Sequence, residues 1–149
     1  MDCDRIASNL LVGSCLLDRK EVEELCLLGV TAILSLQTDE DMGKRGIEWE
    51  EKAALAVKLA FQSVPVRDFD TADLQRKLPE CVMALDRILK AGHTVYLHCT
   101  AGTGRSPTVA AAYLHWCLAW PLERALAQVR HARDCSLDVE AIRSARWPT

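Results

Sequence analysis

Residues 97–107 read LHCTAGTGRSP and bring a thiol, two glycines, a guanidinium and a hydroxyl into one short loop. Cys99 can attack as a thiolate, and Arg105 can grip two oxygens of one anion in a bidentate fork. Gly102 and Gly104 let the chain turn tightly. Backbone N–H groups in such a turn converge on one point, and a helix beginning just after Arg105 adds positive potential there. What fits that point is a dianion with several oxygens, a phosphate monoester. The same field favours the thiolate form that attacks phosphorus. Ser106 lies beside the arginine, where its hydroxyl can donate to the departing thiolate. Thr100, Ala101, Gly102, Thr103, Gly104 and Arg105 form the expected phosphate cradle, and His98 is expected to fix the loop by hydrogen bonds.

The spacing Cys-x5-Arg carries little weight alone, because seven cysteines and twelve arginines should produce about half a match by chance. A second match does occur, from Cys81 to Arg87. It has no glycine and falls inside a helical pattern, so its expected role is packing. Only the Cys99 match is delivered by an apolar strand and followed by a helix.

The elements that must position this loop can be read from hydrophobic periodicity. Short apolar runs at 9–13, 31–36, 61–66 and 94–98 predict strands. Helical patterns cover 18–28, closed by Gly29, and 49–59. A third covers 78–90, with Leu78, Val82, Leu85, Ile88 and Leu89 on one face and Pro79 in the first turn. Three more follow at 109–116, 122–131 and 139–145. Strands alternating with helices, then a helical C-terminal half, predict one α/β domain.

At 149 residues, half of them apolar, the chain can bury a core without staples. A net charge of −3 argues against a nucleic-acid face. No apolar run reaches membrane-spanning length. The seven cysteines contain no C-x-x-C pair, so no metal site and no cofactor is expected. Free thiols suit a reducing intracellular compartment, read as the cytoplasm, with a plastid location open if a transit segment has been removed.

His98-Cys-Thr-Ala-Gly-Thr-Gly-Arg-Ser106 resembles the signature loop of cysteine-dependent tyrosine and dual-specificity phosphatases, and the short chain resembles the dual-specificity branch. That resemblance implies one catalytic domain over residues 1–149, a central mixed sheet flanked by helices. It also implies a general acid, an aspartate about thirty residues before the nucleophile and just after a strand. Asp68, in Val66-Arg-Asp-Phe-Asp70, has that placement. Asp70 and Asp73 are rivals, whose other role is to cap the turn before the next helix.

Further stretches resemble the plant starch-excess type of glucan phosphatase, related to laforin: 11–15, 29–33, 67–74, Leu78-Pro79 and Arg133-Asp-Cys-Ser-Leu-Asp-Val-Glu-Ala-Ile-Arg143. This implies a phosphorylated glucan as substrate. Phe69 is kept where that family has an aromatic ring. Lys44 and Arg45 stand where a Tyr-Phe pair is expected, Ser136 stands for a Phe and Ser106 for an alanine. Phe69, Lys44 and Arg45 are thus the candidate substrate contacts, and no carbohydrate-binding domain is expected within these residues. A phosphoprotein substrate and a non-catalytic phospho-ligand binder are the alternatives. A monomer with no nucleic-acid or membrane partner is expected.

Overall fold

A computed structural model describes residues 1–148. Strands β1 (Cys3–Ala7), β2 (Leu10–Gly13), β3 (Ala32–Ser35), β4 (Ala60–Ser63) and β5 (Val95–His98) form one sheet in the order β1-β2-β5-β3-β4. Only β1 runs antiparallel to its neighbour β2; the other pairs are parallel. The domain is therefore α/β with a mixed sheet, as the alternation of strands and helices predicts.

Side chains of β5 leave the sheet alternately, Val95 and Leu97 to one face and Tyr96 to the other. Helices α1 (Arg19–Leu27) and α3 (Glu48–Ala56) cover the Tyr96 face through Val22, Leu25, Ala53 and Ala54. Helices α4 (Thr71–Lys90), α5 (Arg105–Trp116), α6 (Leu122–Ala132) and α7 (Val139–Ser144) cover the opposite face. Two more apolar faces thus bury the central strand β5, whose C-terminal end carries Cys99. In the short segment before α3 lies a four-residue helix, α2 (Asp39–Met42).

Four elements depart from the sequence expectation. Helix α4 begins at Thr71 rather than Leu78, because Asp70 accepts the Asp73 N–H and caps the helix seven residues earlier. Leu74 and Leu78 extend the same buried stripe, so burial outweighs the hydrogen bond lost at Pro79 inside the helix. Helix α5 begins at Arg105 itself, with Pro107 in its first turn. Strand β1 was not expected: as an edge strand it buries only Ile6 and has no apolar run to signal it. Helix α2 was also missed, although Thr38 and Asp41 form a reciprocal capping box.

Gly13 ends β2 directly beneath the N-terminal residues. A Cβ there would press on the Asp2 carbonyl, lie 2.5 Å from the Tyr96 hydroxyl and 2.8 Å from Cys3 Cβ. Backbone cannot yield as a flexible side chain does. Gly13→Ala is expected to destabilise the fold by about 1–3 kcal/mol. Urea unfolding of the two proteins checks this, and coincident midpoints would contradict it.

Candidate active site

The loop from Cys99 to Gly104 joins β5 to α5. Each of its carbonyls has a partner outside the loop. Cys99 O accepts from His98 Nδ1 at 3.0 Å and Thr100 O from the Cys15 N–H at 2.9 Å. Arg133 donates from Nη2 to Ala101 O at 3.4 Å and from Nε to Gly102 O at 2.6 Å. Thr103 O accepts the Ser136 N–H at 2.7 Å, and Gly104 O accepts the Thr108 N–H and hydroxyl. Every peptide among the described residues is trans. A trans plane whose carbonyl faces away turns the next N–H the opposite way. The N–H groups of residues 100–105 therefore face away from these partners.

Cys99 is 2% exposed, and its Sγ lies 3.2 Å from Ser106 Oγ. Cys81 lies inside α4 rather than at a strand end, and burial pushes its thiol up to about 12. That second Cys-x5-Arg match is packing, as expected.

Arg105 is buried, held through its two terminal nitrogens and unpartnered at Nε. Its Nη1 donates to Asp41 Oδ2 at 2.8 Å and to the Val66 carbonyl at 2.6 Å; its Nη2 meets Asp41 Oδ1 and Thr100 Oγ1, each at 3.2 Å. Asp68 Oδ2 lies 3.3 Å from the same Nη2. Among the described residues, Arg105 Nε is buried with no hydrogen-bond partner. A buried N–H without an acceptor is costly, and an anionic oxygen in the cleft is what would satisfy it. Asp41 was not singled out in the sequence; the Thr38-x-x-Asp41 spacing of the capping box was the available signal.

The three rival aspartates separate cleanly. Asp73 is buried, accepts the Arg67 N–H at 2.8 Å and pairs with Arg76 and Lys77. Asp70 caps α4. Asp68 is the one at Arg105, and its side chain is 34% exposed to the cleft. Phe69, next along, is wholly exposed and adopts a positive φ of 55°, an uncommon backbone for an aromatic residue. Behind the loop, His98 Nε2 meets Glu50 Oε2 at 2.8 Å, both side chains fully buried. A buried acid on α3 thereby anchors the ring that holds Cys99 O.

These groups line a cleft of about 440 Å³ bounded by Arg67, Asp68, Phe69, Asp70, Cys99, Ala101, Thr103, Gly104, Arg105, Ser136 and Asp138 among others. Lys44 and Arg45 are not in its lining. Arg45 stacks over the Trp49 ring at 3.8 Å and donates to the Leu17 carbonyl. Trp116 stacks on Trp147 against the core. No helix among the described residues is long and apolar enough to cross a membrane.

Residues 19–142 match the family model described as dual specificity phosphatase, catalytic domain. The chain belongs to that family. It is 36% identical over 149 residues to the Arabidopsis thaliana phosphoglucan phosphatase LSF1, chloroplastic, covering 99% of this chain and 25% of that protein. It is 35% identical over 144 residues to the Castanea sativa phosphoglucan phosphatase DSP4, amyloplastic, covering 94% and 38%. The chain thus spans well under half the length of either relative. Its fold is similar to the crystal structure of Cydia Pomonella PTP-2 phosphatase, with a TM-score of 0.78, 24% identity and coverage of 95% and 88%. The mixed sheet and flanking helices expected from the signature loop are those of this dual-specificity phosphatase domain.

Asp41 offers a test of the arginine's setting. Burial alone would raise its carboxyl; hydrogen bonds from Arg105 and the Thr38 N–H, with the Arg105 charge, outweigh burial and hold it down to about 2. A carboxyl depressed from 3.8 contributes stability that is full above that value and is lost as pH falls toward 2. Its side chain is only 9% exposed, so solvent screens the pair little. Asp41→Asn should cost at least about 2 kcal/mol at neutral pH and flatten the acid fall in stability between pH 4 and pH 2. Denaturant titrations across that range read both effects, and parallel curves for the two proteins would contradict the assignment.

Proposed function

We propose that this dual-specificity phosphatase domain hydrolyses phosphate monoesters of a glucan through a phosphocysteine intermediate. One observation carries the reading: Cys99, a loop whose carbonyls are all engaged elsewhere, and Arg105 with its unpartnered Nε line a single cleft. Thr100 to Gly104 supply N–H donors to the equatorial phosphate oxygens, and Arg105 adds its Nε and Nη2. The Cys99 thiolate attacks phosphorus, the S–P bond forms and the P–O bond to the substrate breaks. Asp68, across the cleft, gives its proton to the departing oxygen. Asp68 then takes a proton from the water that attacks phosphorus. As the S–P bond breaks, inorganic phosphate leaves and the Ser106 hydroxyl donates to the returning thiolate. A thiolate nucleophile needs a reducing compartment, which the cytoplasm and a plastid both provide.

Three lines support glucan as the scaffold. Both plant relatives are named phosphoglucan phosphatases and match nearly the whole of this chain. The cleft rim carries the carboxylates of Asp68, Asp70 and Asp138 against the single exposed cation Arg67, itself 3.6 Å from Glu40. An acidic phosphopeptide or a multiply phosphorylated ligand would be repelled there; a neutral sugar chain is not. Phe69 presents a free ring face on which a sugar can stack. The proposal draws on Phe69 and not on Lys44 or Arg45.

Cys99→Ser should lower turnover of p-nitrophenyl phosphate by at least about a thousandfold, while Cys81→Ser keeps it within a few-fold. Asp68→Asn should lower kcat for an alkyl phosphate far more than for the aryl ester, whose leaving group needs no proton. Equal losses in the two cysteine variants, or a leaving-group effect that follows Asp70 instead, would overturn these roles. On substrate, kcat/KM for solubilised phosphoglucan should exceed that for acidic phosphopeptides by about tenfold or more. Phe69→Ala should raise KM for the glucan several-fold more than for the aryl phosphate. A hundredfold preference for phosphopeptide would move the assignment to a protein phosphatase.

A further inference from the structure

Arg133 follows the end of α6, far from the signature loop in sequence, and is 5% exposed. A guanidinium has five N–H donors, and here every one is taken by protein. Nε holds Gly102 O at 2.6 Å, and Nη2 reaches Ala101 O at 3.4 Å and Asp2 Oδ2 at 3.0 Å. Nη1 donates to Asp2 Oδ1 at 3.1 Å and Asp4 Oδ2 at 3.0 Å. Arg105, by contrast, has an Nε to spare. One arginine is equipped to grip a ligand; the other is spent on the backbone that surrounds the ligand.

We propose that Arg133 is a positioning residue, and that Asp2 and Asp4 act through it to moderate the anion affinity of the phosphate loop. The inference rests on the phosphatase reading above and adds a control to that site. Two peptide planes, 101–102 and 102–103, owe their orientation to the one guanidinium. Packing enforces the arrangement: a Cβ on Gly102, whose φ is +72°, would lie 2.6 Å from Arg133 Nη2 and 2.5 Å from the Gly13 carbonyl carbon. Burial would pull the guanidinium down, and the two carboxylates more than offset that and keep it charged. The Arg133 hydrogen bond in turn holds Asp2 below its ordinary value. A fixed cation therefore stands behind the loop, partly neutralised from the far side by the residues at and before β1.

This arrangement makes a prediction whose sign a merely structural clamp would not give. In the Asp2→Asn/Asp4→Asn double variant, Asn keeps hydrogen-bonding oxygens near Arg133 but leaves its charge unopposed. Tungstate and inorganic phosphate should then bind about two- to fivefold more tightly at low ionic strength, and the gain should vanish in about 0.5 M salt. Asp2 and Asp4 are 63% and 43% exposed, which keeps the expected gain this small. Arg133→Lys, which keeps charge but cannot span two carbonyls, should weaken the same anions by about tenfold or more. Binding is read by calorimetry on protein whose melting transition shows that it is folded. Unchanged or weaker binding in the double variant overturns the proposal, as does binding within twofold of the parent in Arg133→Lys. A parent protein that binds phosphate yet turns over no aryl phosphate would instead overturn the enzymatic reading and leave the clamp standing.

Discussion

A peptide plane can present its N–H to a phosphate only if the carbonyl on its other side is satisfied elsewhere, since a buried carbonyl without a partner costs about as much as a lost hydrogen bond. Six consecutive carbonyls, Cys99 to Gly104, must meet that condition at once. The fold answers with partners drawn from almost every part of the chain: Cys15 after β2, the His98 ring backed by Glu50 of α3, Arg133 after α6, Ser136 before α7 and Thr108 of α5. The sheet and its helices exist, in functional terms, to deliver these five groups to one loop. Removing any one would leave a carbonyl seeking a new direction, and the N–H behind it would turn with it.

Charge is arranged on the same plan. Two arginines, each at most 5% exposed, flank the loop, and each is matched by carboxylates, Asp41 and Asp68 at Arg105, Asp2 and Asp4 at Arg133. An uncompensated buried guanidinium would be expensive, and a fully compensated one would bind no substrate. Arg105 faces Asp41 with its two terminal nitrogens and keeps Nε without a partner among the described residues. The Asp68 carboxylate lies 3.3 Å from Nη2, on the part of the guanidinium that Asp41 also meets.

How much of this was legible in the sequence depends on range. The Cys99–Ser106 loop is contiguous, and its glycines, strand and helix start are all local signals, so chemistry and ligand class could be read directly. Four of the five strands have apolar runs; polar β1 has none, and with it the roles of Asp2 and Asp4 were hidden. Helix α4 was misread at its start because the capping aspartate lies before a polar turn, and Pro79 looked like a beginning rather than an interior residue. Asp41, Glu50 and Arg133 act on the site from 64, 48 and 31 residues away. The Thr38-x-x-Asp41 spacing signals a cap and not a partner for Arg105, because each of the three works through a contact that only folding creates. Arg45 shows the reverse: a charge in a suggestive position whose contacts, with Trp49 and Leu17, lead away from the cleft.

The account turns on a covalent bond between phosphorus and one sulfur among seven. Acid quenching during turnover of an aryl phosphate, followed by peptide mass spectrometry, looks for that bond directly. The account predicts one added phosphoryl group on the peptide carrying Cys99, none on that carrying Cys81, and accumulation when Asp68 is replaced so that the intermediate forms but is hydrolysed slowly. Steady turnover with no phosphoryl group on Cys99 under any quench, or with the group on another residue, would contradict it.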